Sequence, residues 1–142
     1  MTHHRSIREL MTSNPKAVET STPVVEAARI MKQEGVGPVP VVEDGGKLTG
    51  ILTDRDIALR VVAEGKDPQS TTVGEIMSRD LVTIDPEQPL DEALRLMASH
   101  QVRRLPVCEE DGRLVGIVAQ ADVAIEGGSD ARTGEVVEQI SR

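Results

Sequence analysis

Two stretches of sequence decide the fold: Gly50-Ile51-Leu52-Thr53-Asp54-Arg55-Asp56 and, later in the chain, Gly116-Ile117-Val118-Ala119-Gln120-Ala121-Asp122. Both begin with glycine and two aliphatic residues, and both end with aspartate. When the chain is shifted against itself so that Gly50 falls on Gly116, the match extends from Ile7 to Ala58 without a gap. An ungapped match of this length indicates an internal duplication.

Each repeat predicts the same order of elements: strand, helix, strand, strand, helix. The helices are indicated by apolar residues at i, i+3, i+4 and i+7, beginning at Val24 and Leu90. Pro23 and Pro89 are predicted at the first helical position, and Gly35 at the end of the first helix. Short apolar runs around glycine-containing turns predict buried strands. These runs are 15–18, 39–42 and 48–52 in the first repeat and 81–84, 105–108 and 114–118 in the second.

The predicted fold class is therefore α+β, with two β-α-β-β-α repeats packed as a pseudo-twofold pair. One repeat alone is too small for a substantial core, whereas two can share one. The predicted boundaries are 1–64 for the first repeat with its lead-in, 65–72 for a linker, 73–126 for the second repeat, and 127–142 for a tail that contains a short helix at 133–140.

Composition excludes several classes of function. The chain has 142 residues, a net charge of −8 and no Phe, Tyr or Trp. Nucleic acid is not expected as a partner, because phosphate binding needs a basic face and single strands stack on aromatic rings. No apolar run is long enough to span a membrane, and the single cysteine, Cys108, fits a reducing cytoplasm and a buried, inert thiol.

The duplicated unit resembles the CBS domain, named after cystathionine β-synthase, over residues 6–125. The residues that carry the resemblance are the Pro-Val strand, the glycine turn and the Gly50–Asp56 segment, which matches the family pattern of glycine, two apolar residues, Ser or Thr, two further residues and Asp. The resemblance implies a tandem CBS pair, here as a stand-alone protein, with clefts between the repeats that bind AMP, ADP, ATP or S-adenosylmethionine as regulatory ligands. It also implies a homodimer. Since no effector is attached, the output would act through a separate, unknown protein.

The first repeat holds the stronger candidate site. Asp56 is predicted to accept hydrogen bonds from both ribose hydroxyls, with Thr53 beside it. By resemblance, the base would lie near six apolar residues: Ala17, Val18, Val39, Pro40, Ile51 and Leu52. A structural interpretation is also open, because Thr53 followed by acidic residues is typical of a helix N-cap. The two roles are compatible.

The second repeat is predicted to supply the cations. Arg103 and Arg104 immediately precede its second strand, where basic residues in related nucleotide-binding pairs face the phosphates. The alternative is a solvated pair that forms salt bridges. Asp122 is the counterpart of Asp56, but Ala119 replaces the hydroxyl residue, so we expect unequal sites with the first stronger.

Two further classes of function are weighed against ligand sensing. A ligand-free dimerisation or protein-interaction module would use the same fold, and the incomplete second motif favours it. An enzyme is not expected, because the sequence has no nucleophile–base–orienter pattern and no phosphate-cradling glycine loop with lysine. No cofactor is required and no metal site is expected, since the acidic residues lack the spacing of a coordination set.

Overall fold

In the computed structural model the described residues are 6–126, with the backbone alone at 124–126. The helix predicted at 133–140 lies outside them. The helices and strands follow in this order: α1 (Ile7–Leu10), β1 (Thr12–Ser13), β2 (Val18–Glu19), α2 (Val24–Glu34), β3 (Val39–Glu43), β4 (Lys47–Leu52), α3 (Asp54–Ile57), α4 (Val73–Ile76), α5 (Leu90–His100), β5 (Arg104–Cys108), β6 (Leu114–Ala119) and α6 (Gln120–Glu126). None of the described helices is long and apolar enough to cross a membrane.

The chain folds into two compact units whose bounds differ from the predicted repeat boundaries. The central unit is Lys16–Leu81, and the terminal unit combines Met1–Pro15 with Val82–Arg142. Each unit therefore contains the strands and long helix of one repeat and the leading segment of the other. The α1–β1 segment belongs with the second repeat, and the α4 segment belongs with the first.

A three-stranded sheet of order β2-β3-β4 forms the central unit. Strand β2 runs parallel to β3, and β3 is antiparallel to β4 with Val39 opposite Leu52 and Pro40 opposite Ile51. Paired residues share a face of the sheet and neighbours along a strand alternate. One face buries Val39, Val41 and Leu52 in a core with the apolar side of α2.

Residues 77–78, which follow α4, extend this sheet beyond β4. Ile51 and Ser78 exchange two backbone hydrogen bonds, each 2.9 Å between nitrogen and oxygen. Met77 packs over Gly50, where an added Cβ would lie 2.6 Å from the Met77 sulfur and 2.9 Å from the Ser78 carbonyl oxygen. Glycine at position 50 is therefore required by a close backbone approach rather than by its own torsion angles.

The terminal unit repeats this arrangement with the sheet order β1-β6-β5. Thr12 pairs with Ile117 as Ser78 pairs with Ile51, and Ile84 forms a parallel bridge to Val107 in place of a full first strand. Its core holds apolar residues from α1, α5, β5 and β6, with Ile7, Met97, Leu105 and Val118 fully buried. The prediction of a repeated α+β unit with two small sheets is confirmed.

Helix ends follow the sequence closely, with one correction. Helix α2 ends at Gly35 in the left-handed conformation (φ 66°), as predicted. The prediction that Pro23 and Pro89 occupy the first helical position is wrong. Each proline lies one residue earlier, at the N-cap position. Their ψ angles of 142° and 159° are extended, and an N-cap residue is extended while its carbonyl already accepts the first helical bond.

Cys108 is buried near the end of β5. Burial, with a smaller contribution from the Asp111 carboxylate, raises the pKa of its thiol from 9.0 to about 11. Since the thiolate is the reactive form, this position favours an inert thiol, as predicted.

Candidate functional site

Thr53 and Asp56 hydrogen-bond to each other in the central unit. Thr53 follows β4 directly and is the N-cap of α3. Its backbone N–H donates to Asp56 Oδ2 at 2.9 Å, and the Asp56 N–H donates to Thr53 Oγ1 at 3.1 Å. This is a capping box, in which each residue satisfies a backbone donor of the other. The structural interpretation of the motif is confirmed.

The capping box uses only one of the two carboxylate oxygens of Asp56. Among the described residues, none donates a hydrogen bond to Oδ1, and the nearest cation is Arg60, with Nε 4.0 Å away. The side chain of Asp56 is 12% exposed. An ionised carboxylate can accept about four hydrogen bonds, so the cap leaves acceptor capacity for a ligand.

The six apolar residues predicted around a base divide between the two faces of the sheet. Three of them, Val18, Val39 and Leu52, belong to the core of the central unit, where the most exposed of the three is Val18 at 6%. The register places the side chains of Pro40 and Ile51 on the opposite face. Ala17 is half-buried just before β2. Pro40 is itself buried, so the partly exposed apolar side chains of the set are Ala17 and Ile51.

Arg103 and Arg104 lie in the terminal unit, at the start of β5, and both are exposed. Arg104 pairs with Ala119 across the hairpin. The Arg103 carbonyl accepts a hydrogen bond from the Gln120 N–H at 2.7 Å, which fixes the backbone that carries both side chains. Neither guanidinium forms an ion pair with a described residue, so the alternative in which they form salt bridges finds no support in this part of the chain.

Asp122 occupies the first turn of α6, as Asp56 does in α3. Its side chain is half-buried. Ala119 cannot form the N-cap hydrogen bond that Thr53 makes, and no hydrogen bond to the Asp122 carboxylate is found among residues 6–126. Asp122 is therefore less firmly oriented than Asp56.

Sequence reasoning missed Arg60. It lies four residues after Asp56, within a π-helical turn (Ala58–Val62) that continues α3. Its guanidinium Nη1 donates to the carbonyls of Ile76 at 3.1 Å and Met77 at 3.5 Å. The signal in the sequence was the i, i+4 spacing from an aspartate, which on a helix brings the two side chains together.

The part of the chain that the structure describes contains no group of three or more His, Cys, Asp or Glu side chains that could hold a metal ion. The candidate site presents a partly shielded carboxylate and a hydroxyl at a strand–helix junction. Such groups suit recognition of hydroxyls on a neutral or cationic moiety.

Comparison with known proteins defines the class. The sequence matches the CBS domain family twice, over residues 7–63 and 73–126. A similar curated protein is the CBS domain-containing protein YhcV of Bacillus subtilis, 46% identical over 136 residues that cover 96% of this chain and 95% of YhcV. The chain belongs to the CBS domain family, as a tandem pair of CBS repeats, which confirms the predicted resemblance.

Two similar solved structures contain adenosine-based ligands. The CBS domain pair of MJ0100, in complex with 5′-methylthioadenosine and S-adenosyl-L-methionine, has a TM-score of 0.76 and 29% identity and covers 90% of this chain and 100% of its own. CBSX2 in complex with AMP has a TM-score of 0.74 and 26% identity and covers 87% of this chain and 96% of its own. Both likenesses extend over nearly the whole described part of the chain.

Proposed function

We propose that this CBS pair is a regulatory module that binds an adenosine-containing ligand, with Asp56 accepting hydrogen bonds from the ribose hydroxyls. The observation that carries the proposal is the hydrogen bonding of the Asp56 carboxylate. Oδ2 is held by the Thr53 N–H at 2.9 Å, and Oδ1 receives no hydrogen bond from a described residue. The side chain is thus already oriented before a ligand arrives, which lowers the entropic cost of binding.

Aliphatic side chains hold the base in this proposal, since the chain has no aromatic residue. Ala17, just before β2, and Ile51, on β4, are the candidates with partly exposed side chains, whereas Pro40 is buried. Val18, Val39 and Leu52 contribute through their backbone, because their side chains face the core. A site of this kind recognises the base by shape and by backbone hydrogen bonds rather than by stacking.

Arg103 and Arg104, in the terminal unit, are proposed as contacts for the phosphate of a ligand that has one. Their guanidinium groups have no ion-pair partner among the described residues, and a guanidinium binds phosphate oxygens in pairs. In this assignment Arg104→Gln weakens AMP binding and leaves adenosine binding nearly unchanged. An equal loss for both ligands would contradict a phosphate contact.

The bound ligands of the MJ0100 pair and of CBSX2 support the proposal, because all of them contain an adenosine moiety. AMP, ADP, ATP and S-adenosylmethionine are the ligands to test. In this proposal the ligand acts as a regulatory signal.

Calorimetric melting with each ligand tests the proposal. At about 100 times its dissociation constant, a ligand that binds only the folded chain adds about 2.7 kcal/mol of stability. For a chain of this size that raises the melting temperature by roughly 5–10 °C. Asp56→Asn preserves shape and the cap but removes the charge, and it should abolish most of this shift.

Asp122→Asn is the matched control, because it makes the same change in the repeat that lacks the cap. It should reduce the shift less than Asp56→Asn does. Equal effects of the two variants would overturn the assignment of the stronger site to the central unit. No shift with any of the four ligands would overturn the proposal.

A second candidate function, homodimerisation or protein interaction, is favoured by one surface feature. Leu59 and Val62, in the π-helical turn after α3, are 50% and 71% exposed. Aliphatic side chains this exposed and one turn apart are suited to contact with a second copy of the chain. Val62→Asp should shift a dimer toward monomer in sedimentation equilibrium. An unchanged mass would exclude this face from the interface.

A further inference from the structure

The guanidinium of Arg60 lies between the candidate ribose-binding carboxylate and the end of a neighbouring helix. Its Nε is 4.0 Å from Asp56 Oδ1, and its Nη1 is 3.1 Å from the Ile76 carbonyl oxygen and 3.5 Å from that of Met77. The last carbonyls of a helix have no partner within it, and a cation there is favourable. Arg60 therefore divides its attraction between a charged acceptor and two backbone acceptors.

The chain that carries these two carbonyls is joined to the sheet at the next residue. Ser78 exchanges two backbone hydrogen bonds with Ile51, and Met77 packs over Gly50. Ile51 and Gly50 belong to β4, which ends one residue before Thr53. Residues 76–78 and the candidate site are therefore connected twice, through β4 and through Arg60.

The terminal unit has no counterpart of this arginine. The position that corresponds to Arg60 is Glu126, and the position that corresponds to Asp56 is Asp122. The equivalent strand pairing, Thr12 with Ile117, is nevertheless present. The same molecule thus contains one sheet extension with the arginine and one without it.

We propose that Arg60 is a positioning residue that couples the charge and occupancy of Asp56 to the backbone of residues 76–78. Hydroxyls that donate to Oδ1 reduce the attraction between Asp56 and Arg60, because they neutralise part of the carboxylate charge. The guanidinium then binds the Ile76 and Met77 carbonyls more fully, and the Ile51–Ser78 pairing becomes more stable. The functional role of this coupling rests on the proposed ligand site, whereas the coupling itself exists without ligand.

Hydrogen exchange of the full chain without ligand tests the coupling first. Asp56→Asn keeps an oxygen for the cap and removes the charge, so it imitates occupancy. It should slow exchange of the Ile51 and Ser78 amides by at least about fivefold, the lower end of couplings between sites. In an Arg60→Gln background the same Asp56→Asn change should have no effect on these amides.

Matched controls come from the same helix and from the other unit. Asp54→Asn and Arg55→Gln alter exposed charges on α3 that do not contact Arg60, and neither should change the exchange of the Ser78 amide. The β1–β6 pairing is an internal reference that should stay constant in every variant. Arg60→Lys is a second variant, for use if Arg60→Gln melts early. It should retain only part of the coupling, because an ammonium group cannot contact both partners as a planar guanidinium does.

The second arm adds AMP and separates failure of the inference from failure of the proposed function. AMP should protect the Ser78 amide in the wild type and not in Arg60→Gln. If AMP does not bind the wild type but the ligand-free variants show coupling, the ligand proposal fails and the role of Arg60 stands. If Asp56→Asn, or bound AMP, changes Ser78 exchange equally with and without Arg60, the inference is overturned.

Discussion

Substituting Gly50 by alanine should destabilise the central unit, because the added methyl has no space. A Cβ at this position would lie 2.6 Å from the Met77 sulfur and 2.9 Å from the Ser78 carbonyl oxygen. The sulfur can move, but the carbonyl is held by its hydrogen bond from the Ile51 N–H at 2.9 Å. Overpacking of this kind costs roughly 1–3 kcal/mol, and the entropy gained on replacing glycine returns about 0.4–1 kcal/mol.

Taken at the middle of each range, the net cost is about 1.3 kcal/mol, which corresponds to a fall of roughly 3–8 °C in melting temperature. Differential scanning calorimetry of Gly50→Ala, Met77→Ala and the double variant measures it. Because shortening Met77 removes one of the two clashes, the double variant should lose less than the sum of the single losses, by at least about 0.5 kcal/mol. Additive losses, or wild-type melting of Gly50→Ala, would refute the close approach of residues 77–78 to β4.

Three further predictions follow from individual side chains. Thr53→Ala should lower the free energy of unfolding in urea by about 1 kcal/mol, because the N-cap is lost. Ala119→Thr should raise it by supplying the missing cap in the terminal unit. A stabilising Thr53→Ala or a destabilising Ala119→Thr would contradict the role of the cap. The folded protein retains the Cys108 proton to about pH 11 whereas a model thiol loses it near 9.0, so stability should fall as pH rises between these values. A Cys108→Ala variant that shows the same fall would exclude the thiol as its cause. Arg8 bonds Glu87 and Glu109 at 3.2 and 3.0 Å on the surface, so Arg8→Met should change stability by less than about 1 kcal/mol, and a larger loss would show that these ion pairs matter more than their exposure implies.

The internal repeat was sufficient to predict the family and the long helix and hairpin of each unit. It did not predict α1, β1 or α4, and the strand predicted at 81–84 is only a bridge at Ile84. Identical spacing of prolines, glycines and apolar residues fixed two copies of one α+β unit, and Gly35, Thr53 and Cys108 lie where local chemistry placed them. These features depend on residues close together in the chain, so they can be predicted from local sequence patterns.

The exchange of leading segments could not be predicted in this way. Met11 and Met77 occupy equivalent positions, and each packs over a glycine inside an equivalent strand, Gly116 in β6 and Gly50 in β4. Since both partners are duplicated, the sequence pattern is the same whichever copy each segment joins. Only the three-dimensional structure distinguishes the two pairings.

The motif in the sequence singled out Thr53 and Asp56, and the structure pairs them in a capping box. Their role in ligand binding, and that of the apolar residues, stays a prediction. The resemblance placed Val18, Val39 and Leu52 around a base together with Pro40 and Ile51, but alternation along a strand sends neighbouring residues to opposite faces. Arg60 was missed because its role depends on carbonyls 16 and 17 residues away.

In the proposed function, Asp56 binds the ribose of an adenosine-containing ligand. Isothermal titration of the wild type and of Asp56→Asn with AMP and with 2′,3′-dideoxy-AMP measures the contribution of the ribose hydroxyls. Hydrogen bonds to a charged acceptor contribute about 1.5–3 kcal/mol, so the wild type should bind AMP at least about tenfold more tightly than the dideoxy analogue. Asp56→Asn should lose most of this preference. Equal affinity of the wild type for both ligands, or an undiminished preference in Asp56→Asn, would contradict the account.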